Sequence, residues 1–257
     1  MDIKLRDLFI ELWNKYFPGA ELPLTLELRE ESSDVKKVPS PNGWRCLICQ
    51  INRARKGTPL VFDAHSITCS GGLMYAGYTH ERSPEFRYFL SCGKPGVIEG
   101  ERFKQTPEIV DSYVKVVPKI SSEGKNLHFT RWDKLTETDN PDVVIFYAHP
   151  EVLSGLFSLA NFDLSDLDGV ICPMGSGCSS IILYPWLEQQ KDDPKVVLGM
   201  FDPSARLCMP LDVLTMSFPM KKFEKIIGYM EESFLITDEW MKVKKKIERS
   251  TMLYQKK

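Results

Sequence analysis

The chain has 257 residues, enough for one large domain or two modest ones, and its formal net charge is −2. That charge excludes a general affinity for nucleic acid, which would need an evident basic excess. The longest apolar runs, such as 143–148, are too short to cross a bilayer, and the charged N-terminus lacks a signal-peptide core. We therefore expect a cytoplasmic protein with neither a membrane nor a nucleic-acid partner.

The first half of the chain mixes helical and strand patterns. Apolar residues recur at helical spacing over 3–17, and 22–28 alternates as a strand does. A helix over 44–56 contains Cys46 and Cys49, which share a face because they are three residues apart. The two thiols can hold one ligand together or simply fill a core. Further strands are predicted at 58–62, 113–117 and 126–132.

The second half alternates strands and helices more regularly. Strands are predicted at 142–148, 169–171, 195–201 and 213–218, and helices at 151–159, 178–190, 221–234 and 238–247. The βαβαβ order of the first five elements implies parallel pairing and right-handed crossovers. Ligands of such sheets bind beyond the carboxyl ends of the strands. We therefore expect His149, the turn at 172–178 and the turn at 202–206 to border one crevice.

Two cysteine turns look alike. In the second, a buried strand ends at Ile171, small residues follow, and Cys178 stands where the next helix should begin. Unpaired N–H groups and the positive end of the helix dipole favour a thiolate there. Cys69 precedes a similar turn, and in both the Cys-Ser pair is followed, three residues later, by an apolar residue and a tyrosine. This match predicts two distantly repeated halves whose cysteine turns meet at a shared cleft.

The seven cysteines are the main candidates for a chemical site. An odd number without a secretion leader argues against a disulfide framework. Iron–sulfur clusters need four thiolates that are not necessarily contiguous, and N–H groups of glycine turns can bond to the sulfurs. We therefore expect an iron–sulfur cluster first and zinc second, because a lone CxxC lacks the second ligand pair of a zinc site. The preferred ligands are Cys69, Cys172, Cys178 and Cys208, and a second group is Cys46, Cys49 and Cys92.

A metal-free anion site is the alternative. Successive N–H groups of a glycine turn form a nest for an anion, and a guanidinium can clamp a carboxylate or phosphate. The residues of this site would be Gly175, Ser176, Gly177, Ser179 and Arg206. Arg206 can instead pair with Asp202. His149 and Asp202 are the candidate acid–base residues, although the sequence shows a partner for neither.

Several of these motifs together resemble the ArCR family of archaea and bacteria, a family named as domain of unknown function 169. The resemblance rests on the blocks Arg45-Cys46 with 53–57, Cys69-Ser-Gly-Gly with Gly77, Gly177-Cys178 with Pro185, 198–206, and 217–219. It implies no activity, because the family has none established. Cys92, Cys172 and Cys208 have no assigned place in its general pattern, so a four-thiolate site would either belong only to a subgroup or not exist.

The expected fold is α/β or α+β, with a parallel-containing sheet and helices. We predict an N-terminal α+β half (1–135) and a C-terminal βαβ-type half (136–257), or one compact domain. The first functional hypothesis is a metal or iron–sulfur protein that acts in redox chemistry or on a small substrate. The others are a metal-free protein or enzyme for a small anionic ligand, and a structural or regulatory subunit. A small molecule or an electron-transfer protein is the expected partner, and a homo-oligomer is also considered.

Overall fold

This computed structural model describes residues 1–30 and 35–255. The described strands are β1 (Leu24–Arg29), β2 (Leu60–Phe62), β3 (Asn126–Arg131), β4 (Val143–Ala148), β5 (Val170–Ile171), β6 (Val196–Gly199) and β7 (Leu214–Pro219). They form one sheet in the order β2-β3-β1-β4-β7-β6-β5, in which β5 and β6 are the parallel pair. The predicted mixed α/β fold with a parallel-containing sheet is therefore confirmed.

The α-helices lie on both faces of this sheet. They are α1 (Ile3–Tyr16), α2 (Leu47–Arg55), α3 (Ser70–Tyr75), α4 (Phe86–Phe89), α5 (Pro107–Val116), α6 (Pro150–Asn161), α7 (Tyr184–Gln189), α8 (Pro203–Arg206), α9 (Met220–Tyr229) and α10 (Asp238–Gln255). A π-helix over Ser179–Leu183 precedes α7, and short 3₁₀ turns cover Trp132–Lys134 and Phe234–Ile236. None of the described helices has both the length and the apolar character that crossing a membrane requires.

The pairing of the second half differs from the simple parallel order expected from sequence. β7 returns between β4 and β6 and pairs antiparallel with both. Because β4 and β6 both oppose β7, they point the same way, and β5 runs parallel to β6. The carboxyl ends of these three strands therefore lie at one edge of the sheet, where ligands of open α/β sheets bind.

Strand β4 divides the interior into two cores. All six of its residues are buried, as expected for a central strand covered on both faces. Val143, Ile145 and Tyr147 belong to the core under α2, α3 and the π-helix, which also contains Cys69 and Cys178. The alternate residues of β4 face a second core of aromatic side chains, among them Phe9, Trp13, Trp132, Phe146, Phe223 and Trp240. Strands from both predicted halves share this one sheet, and the domain boundary near residue 135 stays a prediction.

The predicted strand over 113–117 is wrong, because these residues belong to α5 except for Val117, which caps it. The Thr106 hydroxyl oxygen accepts the N–H of Ile109 at 3.4 Å, and Pro107 occupies the first helical turn. A capping side chain followed by proline is a strong helix start. It outweighs the β propensity of tyrosine and valine further along, which depends on context.

Folding stability should fall in mild acid because of His128 on β3. Its side chain is buried, Nε2 has no hydrogen-bond partner among the described residues, and burial, helped by the charge of Arg29, lowers its pKa. The unfolded chain therefore binds a proton near the ordinary histidine pKa of about 6.5, whereas the native state binds it only at lower pH. The free energy of unfolding consequently decreases as the pH falls through that value. Melting temperatures at pH 8 and 5.5 measure the drop, which should be smaller in His128→Gln.

The control for this prediction is His65→Gln, because His65 is exposed. That variant should keep the acid sensitivity of the wild type. An equal drop in wild type and His128→Gln would show that other groups cause the acid sensitivity.

Candidate functional site

A cavity of about 540 Å³ opens at the carboxyl edge of β5 and β6. Its walls are the start of α2, helix α3, the segment 86–104, the turn at 172–178 and the segment 199–205. The charged side chains in the lining are Glu101, Lys104 and Asp202. Most other lining side chains are apolar, and the aromatic ones are Trp44, Tyr75, Phe86, Phe89, Phe103, Tyr113 and Phe201. The cavity therefore suits a small, mainly apolar molecule.

Glycine allows the close packing at the floor of the cavity. A Cβ on Gly177 would stand 2.8 Å from both the Ala205 Cβ and the Met200 Sδ. A Cβ on Gly72 would stand 2.6 Å from the Cys69 Sγ. Only a residue without a side chain fits at either place, because such distances are far below van der Waals contact. The glycine turns thus serve to bring the cavity walls together.

Two local irregularities border the cavity. The π-helix at Ser179–Leu183 follows directly on Cys178, and π-helical turns occur frequently at functional sites. Met200 lines the cavity with φ of 70°, and Arg102, with φ of 58°, lies between the lining residues Glu101 and Phe103. Non-glycine residues with positive φ are costly and cluster at binding sites. These features support a functional role for the cavity.

Three cysteines lie at helix starts around the cavity, and Cys178 is itself already in helical conformation. Cys46 precedes α2, Cys69 precedes α3 and Cys178 precedes the π-helix. The helix start predicted at Cys178 is confirmed. Burial nevertheless raises the pKa of the Cys69 thiol and, further, that of Cys178, despite N–H groups of Leu47 and Gly72 that point at the Cys69 sulfur. The thiolate expected at Cys178 is therefore not favoured, because loss of solvation outweighs the helix terminus.

A different trio of cysteines has its sulfur atoms together. The Sγ atoms of Cys46, Cys49 and Cys208 all lie within 4.8 Å of one another. Cys49 and Cys208 form a disulfide with a Cα–Cα distance of 4.9 Å, whereas Cys46 is a free thiol. Among the described residues, this is the one such group of three that could hold a metal ion. The odd number of cysteines argued against a disulfide framework, and this single disulfide was not predicted. Its two cysteines are 159 residues apart, so nothing local in the sequence indicates the pairing.

Comparison with known proteins settles the family. The sequence matches the family described as uncharacterised ArCR, DUF169, over residues 21–228. The chain belongs to the ArCR family. Nothing among curated proteins or solved structures matches it. The resemblance found in the sequence blocks is thus confirmed, and the function of this ArCR protein has to be inferred from its own site.

The predicted ligand cysteines are divided between two places in the ArCR protein. Cys69, Cys172 and Cys178 line the cavity together with Cys46. Cys208 belongs instead to the sulfur trio, with Cys46 and Cys49 from the second group of candidates. Cys92 is exposed and is not part of the cavity lining. Its thiol donates a hydrogen bond to the Gly93 carbonyl at 3.4 Å. Which of these cysteines are ligands stays a prediction.

The turn predicted to bind anions already contacts a carboxylate. The Oδ2 of Asp202 accepts the N–H of Gly177 at 3.1 Å, and its Oδ1 accepts the N–H of Ser204 at 2.9 Å. The Arg206 guanidinium donates to the Val213, Pro210 and Leu211 carbonyls and is absent from the cavity lining. Arg206 thus stabilises the loop at 210–213 that follows it in the chain. The Ser179 hydroxyl likewise donates to the Ser176 carbonyl at 2.7 Å. Gly175, Ser176 and Gly177 line the cavity, and the buried Ser176 Oγ has no hydrogen-bond partner among the described residues. Anion binding at this turn therefore stays a prediction, without the clamp expected from Arg206.

The acid–base candidates are also apart. The Nδ1 of His149 lies 3.0 Å from the Oδ2 of Asp212, and His149 is absent from the cavity lining. Asp202 is in the lining, close to Glu101. Burial raises the pKa of Glu101, and the negative charge of Asp202 raises it further, while a hydrogen bond from Ser204 opposes the shift. Sequence analysis missed Glu101, because it lies about a hundred residues from Asp202 along the chain.

Proposed function

We propose that this ArCR protein binds one thiophilic metal ion through Cys46, Cys49 and Cys208 when Cys49 and Cys208 are reduced. The observation that carries the proposal is the clustering of three sulfur atoms within 4.8 Å at the edge of a cavity. Reduction of the disulfide by two electrons would free two thiols, which bind metal as thiolates.

The spacing of the sulfur atoms suits a single ion. Zinc–sulfur bonds of about 2.3 Å in tetrahedral geometry place two ligand sulfurs roughly 3.8 Å apart. Small rotations of the cysteine side chains would reach that value from a separation of at most 4.8 Å. A four-iron cluster binds each thiolate to a different iron and so needs wider spacing. We therefore favour one ion over the iron–sulfur cluster expected from the sequence.

The cavity supplies the functional context for such a site. Cys46 belongs both to the sulfur trio and to the cavity lining. Three protein ligands leave a fourth metal position open, as in catalytic zinc sites. A metal held by Cys46 would therefore face a small, mainly apolar molecule in the cavity. The proposal includes either redox chemistry or action on a small substrate, with a small molecule or an electron-transfer protein as the partner. A cytoplasmic location and a homo-oligomer are also proposed.

The test is metal analysis of anaerobically purified, reduced protein. Iron, zinc and acid-labile sulfide are measured together with a visible spectrum. We expect about one metal ion per chain without sulfide, lost in Cys46→Ser, Cys49→Ser and Cys208→Ser, because three ligands are needed to hold the ion. Cys92→Ser is the matched control and should retain it, because Cys92 is exposed and outside the cavity.

Two outcomes would contradict the three-cysteine site. Iron with stoichiometric sulfide, lost in Cys69→Ser or Cys178→Ser, would establish the cluster expected from the sequence instead. Protein without any metal after anaerobic purification and after incubation with zinc or iron would leave the metal-free alternative. The cavity would then be examined by thermal-shift screening of apolar molecules against small carboxylates and phosphates.

A further inference from the structure

We infer that Cys46 is the exchange thiol of a three-sulfur relay, in which it attacks the Cys49–Cys208 disulfide and forms a Cys46–Cys49 disulfide. The inference rests on the same three cysteines as the proposed metal site, but it needs no metal. Its evidence is the placement of a free thiol within 4.8 Å of both sulfurs of an existing disulfide.

The exchange is balanced within the chain. Cys46 loses its proton to water, and its thiolate attacks the Cys49 sulfur. The bond between the Cys49 and Cys208 sulfurs breaks as the new one forms, and its electron pair leaves on the Cys208 sulfur, which takes a proton from water. The step is thiol–disulfide exchange, so no external oxidant or reductant is consumed.

The backbone around Cys46 suits this reaction. Cys46 caps α2 in an extended conformation, and Cys49 lies in the first turn of that helix. A Cys-x-x-Cys pair at a helix N-terminus is the redox-active arrangement of disulfide oxidoreductases. Cys49 is exposed, and Cys46 and Cys208 are half-buried, so an external thiol of the glutathione class can also reach the trio.

The other cavity cysteines are poorly placed to do the same. Cys69 and Cys178 are buried, and the group of sulfurs within 4.8 Å does not include them. Exchange requires an accessible thiolate, and access is lost by burial. Cys172 is exposed, but its sulfur is likewise outside that group and therefore not next to the disulfide. The relay is assigned to Cys46 because, of the cysteines that line the cavity, it is the one whose sulfur lies beside the disulfide.

Exchange would change what the disulfide connects. The Cys49–Cys208 disulfide links α2 to the segment that follows α8. Residues close to each end of this disulfide line the cavity. After exchange the bond would lie within the start of α2. The contact between α2 and Cys208 would then depend on non-covalent interactions: the hydrogen bond from the Asn52 side chain to the Cys208 carbonyl, at 3.0 Å, and packing against the shared apolar core. The relay thus links the covalent state of the trio to the cavity wall.

The experiment maps disulfides in full-length, chelator-treated protein equilibrated with reduced and oxidised glutathione. Samples are quenched in acid, alkylated, digested and analysed by mass spectrometry. We expect wild type to yield both Cys49–Cys208 and Cys46–Cys49 peptides, with Cys208 alkylated wherever the second is present. Cys208→Ser should form Cys46–Cys49, Cys46→Ser should retain only Cys49–Cys208, and Cys92→Ser should match the wild type.

The relay is overturned if wild type contains Cys49–Cys208 but no Cys46–Cys49 at every glutathione ratio tested. It is also overturned if Cys208→Ser, folded by circular dichroism, forms only mixed disulfides with glutathione at Cys46 and Cys49. The wild-type measurement decides alone if that variant does not fold. Because chelator is present throughout, failure of the exchange leaves metal binding to be judged separately by metal analysis.

Discussion

Reduction of the Cys49–Cys208 disulfide in metal-free protein should lower the free energy of unfolding by about 2–5 kcal/mol. The bond closes a loop with a sequence separation of 159 residues, so its loss releases much chain entropy in the unfolded state. For a protein of this size, we expect the melting temperature to fall by roughly 5–15 °C. Calorimetry of the oxidised protein and of the protein reduced in the presence of a chelator measures the change.

Metal should reverse much of this loss in the reduced protein. A ligand that binds only the native state adds about 4 kcal/mol when its free concentration is a thousand times its Kd. Zinc added to reduced wild type and reduced Cys92→Ser should therefore raise the melting temperature towards the oxidised value. Reduced Cys46→Ser should recover far less, although its oxidised form retains the disulfide. Equal stability of oxidised, reduced and zinc-loaded wild type would rule out both the disulfide contribution and the metal site.

Gly199→Ala should lower the free energy of unfolding by about 3 kcal/mol, which is the upper end of the range for overpacked cores. Gly199 lies on β6 beneath the π-helix, and an added Cβ would clash with the Cβ and Oγ of Ser180. Ser180 is buried and its hydroxyl donates to the Gly177 carbonyl at 2.9 Å, so it has little room to move. We expect a fall in melting temperature of roughly 6–12 °C by calorimetry.

The matched control is Gly228→Ala in helix α9. A Cβ at Gly228 meets no atom within 4 Å, and alanine is the better helix former by about 0.5–1 kcal/mol. That variant should be slightly more stable than wild type. A wild-type melting temperature for Gly199→Ala would mean that the π-helix can shift away from β6, and that the cavity floor is not closely packed.

Local patterns in the sequence determined much of the fold. The alternation of apolar strands and helices after residue 142 predicted β4, β5 and β6 and the common edge where their carboxyl ends lie. The small-residue turn before Cys178 predicted a helix start there. These predictions hold because strand burial and helix capping depend on residues close together in the chain. Family membership was also visible in short ordered blocks.

Only the tertiary structure decided how the cysteines are grouped. The sequence favoured Cys69, Cys172 and Cys178 because they adjoin glycine turns, and these three do line one cavity. The sulfur trio instead joins Cys46 and Cys49 to Cys208, far along the chain. The insertion of β7 between β4 and β6 was equally invisible locally. Contacts between distant residues depend on how all elements pack together, and no short stretch of sequence contains that information.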